Sequence, residues 1–331
     1  MNDEWDRRRF LKRLGIAGSA AACVSGVGII AHDDLKRKED GDGSRGSVSS
    51  IRRWDFRARV PKGPIPVIVA QDAPEEAVRA GILELGGMKE FVHPSEKVVI
   101  KPNVGWDRTP MQAANTNPVV IATLVRLCVD AGASRVIVTD NSCNDARRCF
   151  TRSGIWKAVE AAGGEIVLPD EHRFTEVDLG GVLGRMPVLN AIMEADRLIN
   201  APIAKHHSLS GFTGGMKNLY GVLGGRRNRL HQNIHESIVE LSHSFRPTLT
   251  VMDATRVLFR NGPQGGSLDD TRAVGEIIIS ENPVGVDAYA CTLIDQKPEN
   301  LPYLRAAAEQ GIGAFDEAYM KQMLRRVEKK S

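Results

Sequence analysis

From Pro66 onward the chain alternates short runs of β-branched residues with longer amphipathic runs, and Pro and Gly mark the changeovers. Strands are expected at Val67–Ala70, Lys97–Ile100, Arg135–Thr139, Glu165–Leu168, Arg197–Ile203, Thr248–Met252 and Glu276–Ser280. Helices are expected at Pro74–Leu85, Pro118–Ala131, Ala146–Ala162, Leu230–Ser244 and Pro283–Ile294. Pro74, Pro118 and Pro283 suit a first helical position, where the missing N–H has no partner to lose. Gly86-Gly87, Gly132 and Gly163-Gly164 suit the matching stops. Strands that stay apolar along their length and are separated by helices predict an α/β fold: a mostly parallel sheet covered by helices on both faces.

In open sheets of this kind ligands bind outside the carboxyl ends of the strands. Here Lys101 and Asn103 follow one strand, Asp140 and Asn141 a second, Lys205 and His206 a third, and Asp253 a fourth. A single polar residue at a strand end says only that a loop begins. Four apolar strands that all end in such residues predict one shared cleft.

The run from Lys205 to Arg229 mixes Lys, His and Arg side chains with glycines directly after a strand. Lys205, His206, His207 and Asp253 are the candidate catalytic residues, with a lysine–histidine acid and base and Asp253 orienting a partner or binding metal. Neighbouring side chains of an extended chain point to opposite sides, so one of His206 and His207 should enter the cleft. Lys101, Asn103, Asp140, Gly211, Thr213, Gly214, Lys217, Asn218 and Arg229 are the candidate ligand-binding residues, for a small anion held by fixed charge and free backbone N–H groups. Gly211 to Lys217 is not a nucleotide phosphate loop. Met216 separates glycine from lysine, and Asn218 stands where a metal-binding hydroxyl is needed.

His231 and His235 lie four apart and share a helix face, with Asp287 near a later helix N-terminus. They are candidate ligands for a divalent metal or, in the other reading, surface and capping residues. The zinc-protease pattern is absent because Gln232 replaces the glutamate it requires after the first histidine. The loop Gly262-Pro263-Gln264-Gly265-Gly266 is either a cover for the cleft or a plain surface loop.

The N-terminus reads Asp6-Arg7-Arg8-Arg9-Phe10-Leu11-Lys12-Arg13, followed by 18 uncharged residues from Leu14 to Ala31. It resembles a twin-arginine export signal, which implies the twin-arginine export machinery as a partner. The protein is then periplasmic, or anchored to the outer face of the cytoplasmic membrane through this N-terminal segment alone. Cleavage near Ala20-Ala21-Ala22 and retention of the segment both stand, since 18 residues is the short limit for a span. Residues 1–31 form the leader, 32–66 a flexible spacer with Gly41, Gly43 and Gly46, and 67–331 the α/β domain. The formal net charge of +3 falls to +1 without the leader, which excludes nucleic acid as the main partner. Cys23, Cys128, Cys143, Cys149 and Cys291 include no Cys-x-x-Cys pair, so no iron–sulfur cluster or zinc ribbon is expected. Cys143 and Cys149 are either free or joined after export.

Lys101-Pro102-Asn103, Asp140, Lys205 with the histidines beside it, Gly211-x-Thr213, Lys217-Asn218-Leu219-Tyr220-Gly221, Arg229, Asp253, Gly262-Pro263 and Asp287 together resemble the domain of unknown function 362 family, from about Val67 to Ile294. The Lys217-to-Gly221 block is the most specific part. Members of that family often carry an added ferredoxin-like module, whose cysteines this chain lacks. The resemblance implies a domain and assigns no reaction. Two functional readings follow. One is an exported enzyme using acid–base or metal-assisted chemistry on a small anion. The other is a non-catalytic accessory protein carrying a ligand or cofactor for a membrane-associated partner. The cofactor is otherwise unassigned.

Overall fold

The computed structural model describes residues 51–60 and 63–328. The expected leader, most of the expected spacer and Cys23 lie outside the described residues. The strands are β1 (Trp54–Asp55), β2 (Val67–Gln71), β3 (Lys97–Pro102), β4 (Arg135–Val138), β5 (Glu165–Ile166), β6 (Phe174–Asp178), β7 (Arg185–Leu189), β8 (Arg197–Ala201), β9 (Ile203–His207), β10 (Gly211–Thr213), β11 (Phe245–Arg246), β12 (Leu249–Leu258), β13 (Thr271–Ser280) and β14 (Leu324–Glu328). The helices are α1 (Pro74–Glu84), α2 (Pro118–Asp130), α3 (Ala146–Arg152), α4 (Ile155–Ala161), α5 (Asn190–Met193), α6 (Gly215–Asn218), α7 (Ile234–Ser244), α8 (Pro283–Thr292), α9 (Pro302–Glu309) and α10 (Glu317–Met323). Among the described residues no helix is long and apolar enough to cross a membrane.

The central sheet has the order β14-β2-β13-β12-β8-β3-β4-β5. It is mainly parallel, as the apolar runs predict, and β13 alone runs against both of its neighbours. Beyond Pro202 the chain continues from β8 into β9, which pairs with β12 and turns back through β10. Alternate residues of each strand serve opposite faces, the two-residue period of a pleated strand. Val67 and Val69 join Val99, Leu198 and Ile278 in one core, closed by α7, α8 and α9 through residues such as Ile238, Val286 and Leu304. Ile68 and Ala70 join Val98, Ile100 and Ile277 in the other, closed by α1, α2 and α4 through Ile82, Leu124 and Val159. Burying both faces is what allows these strands to be apolar throughout.

Several boundaries differ from expectation for local reasons. The expected helix Ala146–Ala162 is two, because Gly154 adopts φ 77°, a left-handed turn that ends α3 before α4 begins. Leu230 and the histidine after it belong to a 3-10 turn over Arg227–Asn233 that precedes α7. Within the stretch read as a spacer, residues 51–60 pack on the domain: β1 pairs with β11, the Trp54 ring stacks on Phe245 at 5.1 Å, and Phe56 is buried. β6, β7, β14, α9 and α10 lie outside the expected elements.

Candidate functional site

The expected cleft forms where β3, β4 and β9 end. β3 is apolar up to Ile100 and then delivers Lys101, fully buried, whose ammonium donates to Asp140 Oδ1 at 2.7 Å, to the Pro102 carbonyl at 3.0 Å and to Asn218 Oδ1 at 3.1 Å. The other Asp140 oxygen accepts from the Val104 N–H at 2.9 Å. Asn218 Oδ1 also accepts from Asn103 Nδ2 at 3.0 Å, while its own Nδ2 donates to Asn200 Oδ1 at 2.8 Å. Asn103 Oδ1 accepts from Lys205 Nζ at 2.8 Å, and the Ala114 carbonyl accepts from the same amine at 2.6 Å. One buried network therefore joins Asp140, Lys101, Asn218, Asn103 and Lys205, so that loops from three strands are held in a single geometry.

The electrostatics are uneven across this network. Asp140 offsets part of the burial that pushes Lys101 below the ordinary lysine range. Lys205 has no carboxylate on its amine, and burial lowers it to about 7. Lys217 is likewise lowered to about 7 by burial, with the Arg227 charge adding to the effect, and its ammonium sits 3.6 Å above the centre of the Tyr220 ring. His207 accepts two backbone N–H groups at Nδ1, from Leu209 and Ser210, each at 3.2 Å. Burial and then the Lys217 charge push it down to about 3. The His231 ring lies parallel to it, with centroids 6.0 Å apart, and its Nδ1 is 3.0 Å from the Asn228 carbonyl.

Backbone packing closes the site from behind. Asp140 Oδ1 and the Lys101 ammonium lie where a Cβ on Gly221 would be, so no larger residue fits there without displacing the ion pair. At the head of α6 the Asp287 carboxylate accepts from Gly215 N at 2.5 Å and from Met216 N at 3.2 Å. The position that a phosphate occupies at a nucleotide-binding loop is thus filled by the chain's own carboxylate. Burial raises Asp287 to about 7.

Of the candidate catalytic residues, Lys205 and His207 line the resulting cleft of 230 Å³. His206 faces away, as strand alternation requires, and its Nδ1 accepts from Gly262 N at 3.2 Å. Asp253 lies elsewhere, which corrects the expectation that it completes the cleft. It faces a separate cavity with Asn117 and Thr255, and its oxygens accept from Asn117 N at 2.8 Å, Thr255 N at 2.9 Å and Thr255 Oγ1 at 2.7 Å. The register with β13 shifts here, where Val274 and Gly275 bulge opposite Thr255, and Asp253 accepts the Thr255 amide at that irregularity.

Among the candidate ligand-binding residues, Lys101, Asn103, Asp140, Thr213, Lys217 and Asn218 line the cleft. Gly211 and Gly214 do not, and Gly214 instead gives Asp287 the room it needs to reach α6. Arg229 braces the β6–β7 turn by donating to the Leu183 carbonyl at 2.7 Å. The candidate metal ligands are dispersed: His231 is in the cleft, the His235 ring stacks on Tyr303 at 6.1 Å, and Asp287 is engaged by α6. Among the described residues no group of three or more His, Cys, Asp or Glu is placed to hold a metal ion. Cys143 and Cys149 are both free thiols.

Trp106, Cys143, Tyr220, Arg227 and Pro263 also line the cleft. Arg227 stands in the basic run and Pro263 in the glycine-rich loop, so both lay in segments already suspected. Trp106 and Cys143 follow β3 and β4 by several residues, and nothing in their spacing marks them.

The sequence profile described as "Domain of unknown function (DUF362)" matches residues 98–292, a span holding every residue of the buried network. The chain belongs to the DUF362 family. This DUF362 chain is 26% identical over 245 residues to a thylakoid-associated protein of Synechocystis sp., a match covering 71% of this chain and 74% of that protein. Two solved structures are similar at 14% identity. One is a Thermotoga maritima protein, with a TM-score of 0.39 over 69% of this chain and 60% of the other. The second is the lactate racemase apoprotein of Thermoanaerobacterium thermosaccharolyticum, with a TM-score of 0.41 over 71% of this chain and 58% of the other. The chain spans about three fifths of the length of each.

Proposed function

We propose that the cleft binds a small anion and that Lys205 exchanges a proton with it. The carrying observation is charge. Lys101, Lys205, Lys217 and Arg227 border one cavity, and Asp140 is the one carboxylate among its lining residues. Asp140 is matched to Lys101, which leaves Lys205 and Lys217 without an acid. Uncompensated cations in a low-dielectric site are costly, and the protein meets that cost by releasing protons near pH 7. An anion would supply the missing charge and draw those protons back. At 230 Å³ the cleft is smaller than the roughly 300–1,000 Å³ of drug-sized sites, which suits a ligand of a few heavy atoms.

An amine titrating near neutrality is suited to general acid–base work, and this favours the enzyme reading over a passive carrier. Titration calorimetry with inorganic phosphate and with small carboxylates, in buffers of differing ionisation enthalpy, tests the reading. Binding should take up protons at pH 8, take up few at pH 6, and weaken as pH rises through about 7. Failure of every anion to bind, or binding with no proton uptake at pH 8, removes it.

Export is part of the same proposal, and its support is the Arg7-Arg8 pair with Phe10-Leu11-Lys12. Replacing Arg7 and Arg8 by lysine should hold the protein in the cytoplasm, as read by cell fractionation. Equal export of the variant would mean another route.

A further inference from the structure

We propose that the cleft is built for an oxyanion that carries its own hydrogen-bond donor, and that His231 is the residue reading that hydrogen. The inference rests on the anion-binding reading and adds the class of anion. His207 Nδ1 receives two backbone N–H groups, so it must bear its lone pair there and its proton on Nε2. His231 has the opposite arrangement. Its Nδ1 faces the Asn228 carbonyl, which can only accept, so the proton is on Nδ1 and the lone pair on Nε2. Both rings line the same 230 Å³ cleft, and a ligand filling so small a space meets a fixed donor and a fixed acceptor.

Two further cleft groups lack a partner of their own kind. Lys217 rests on the Tyr220 ring, and the Thr213 hydroxyl, 4% exposed, has no hydrogen-bond partner among the described residues. The ammonium calls for a ligand oxygen, and the hydroxyl can give or take a hydrogen. Of the two imidazoles, only His231 presents a lone pair at Nε2 and so asks for a hydrogen. A bare oxyanion opposes two lone pairs there, whereas a hydroxyl-bearing one satisfies both. Burial and the Lys217 charge hold His231 below its ordinary range, which keeps that lone pair free near neutral pH.

Two pairs of probes test the hydrogen: inorganic phosphate against sulfate, of the same shape and nearly the same size, and glycolate against acetate, which lacks the hydroxyl. At pH 7 phosphate keeps at least one hydrogen and sulfate has none. The hydrogen-bearing member of at least one pair should bind about tenfold or more tightly. In His231→Phe, which keeps a stacking ring and removes the lone pair, the two members should converge. His231→Gln, which restores an acceptor oxygen, should recover part of the preference. Long-range ¹⁵N–¹H spectra of the folded full chain should show His207 protonated on Nε2 and His231 on Nδ1. Equal binding of both members of each pair, a preference that survives in His231→Phe, or the reverse tautomer at His231 overturns the proposal. If no member of either pair binds, the anion reading itself fails and takes this inference with it.

Discussion

At the scale of single residues the site hangs on Asp140. Its two oxygens bind an ammonium from the end of β3 and an amide from the loop that follows, in space that the missing side chain of Gly221 leaves open. Removing one partner of a buried ion pair leaves the other charge unmatched, a loss of about 3–5 kcal/mol, whereas removing both together often costs little. Asp140→Ala should therefore destabilise the fold by about that amount in urea denaturation at pH 7. The double variant Lys101→Met, Asp140→Leu should recover much of the loss, and a double variant no more stable than the single one would show that the ion pair is not what Asp140 contributes. The histidines teach the complementary lesson. His206 and His207 are neighbours in sequence, yet one accepts an amide from the Gly262 loop and the other faces the cleft.

At the scale of elements, the strands that deliver the site were legible because burial on two faces forces an apolar run that ends abruptly. Lys101, Asp140 and Lys205 stand at such ends, and the structure places all three together. Asp253 obeys the same local rule and lies elsewhere, because β12 continues past it to Leu258, opposite a bulge in β13. The bulge is in the partner strand, where Gly275 sits at φ 80°, so the residues of β12 carry no sign of it. β6 was missed for a related reason. Phe174–Asp178 is half-exposed, with Thr175 and Glu176 facing solvent, so no apolar run marks it. Trp54 and Phe56 sit among charged residues, and only their partners Phe245 and Arg246, far along the chain, make them core. The glycine-rich run after Lys205 resembled a ligand loop in composition, while its helix N-terminus is capped by Asp287, some 70 residues later. Pairings between distant segments are what composition and spacing cannot express.

At the scale of the whole molecule, the unmatched cations should shape stability against pH. Lys205 and Lys217 titrate near 10.5 when unfolded and near 7 when folded, burial being the main cause for both. Between those values the unfolded chain binds more protons than the folded one, so stability rises with pH through that window. The limiting slope is about 1.4 kcal/mol per pH unit for each lysine. Above about pH 9 the buried thiols Cys128, Cys149 and Cys291, all raised by burial, act in the opposite sense and blunt the rise. Near pH 7 the buried Asp287 carboxyl, raised to about 7, offsets part of the rise, and between 8 and 9 the two lysines dominate, where many proteins are already past their optimum between about pH 5 and 8. Urea midpoints should climb from pH 7 to pH 9 in the unmodified chain and lose most of that climb in the Lys205→Met, Lys217→Met double variant. Saturating an anion that binds the cleft should flatten the climb as well, because the bound anion keeps both lysines protonated in the folded state. A midpoint that is level or falls over this range, or a climb undiminished in the double variant, would mean that the two ammonium groups are compensated in the folded chain and that the cleft has no charge deficit for an anion to fill.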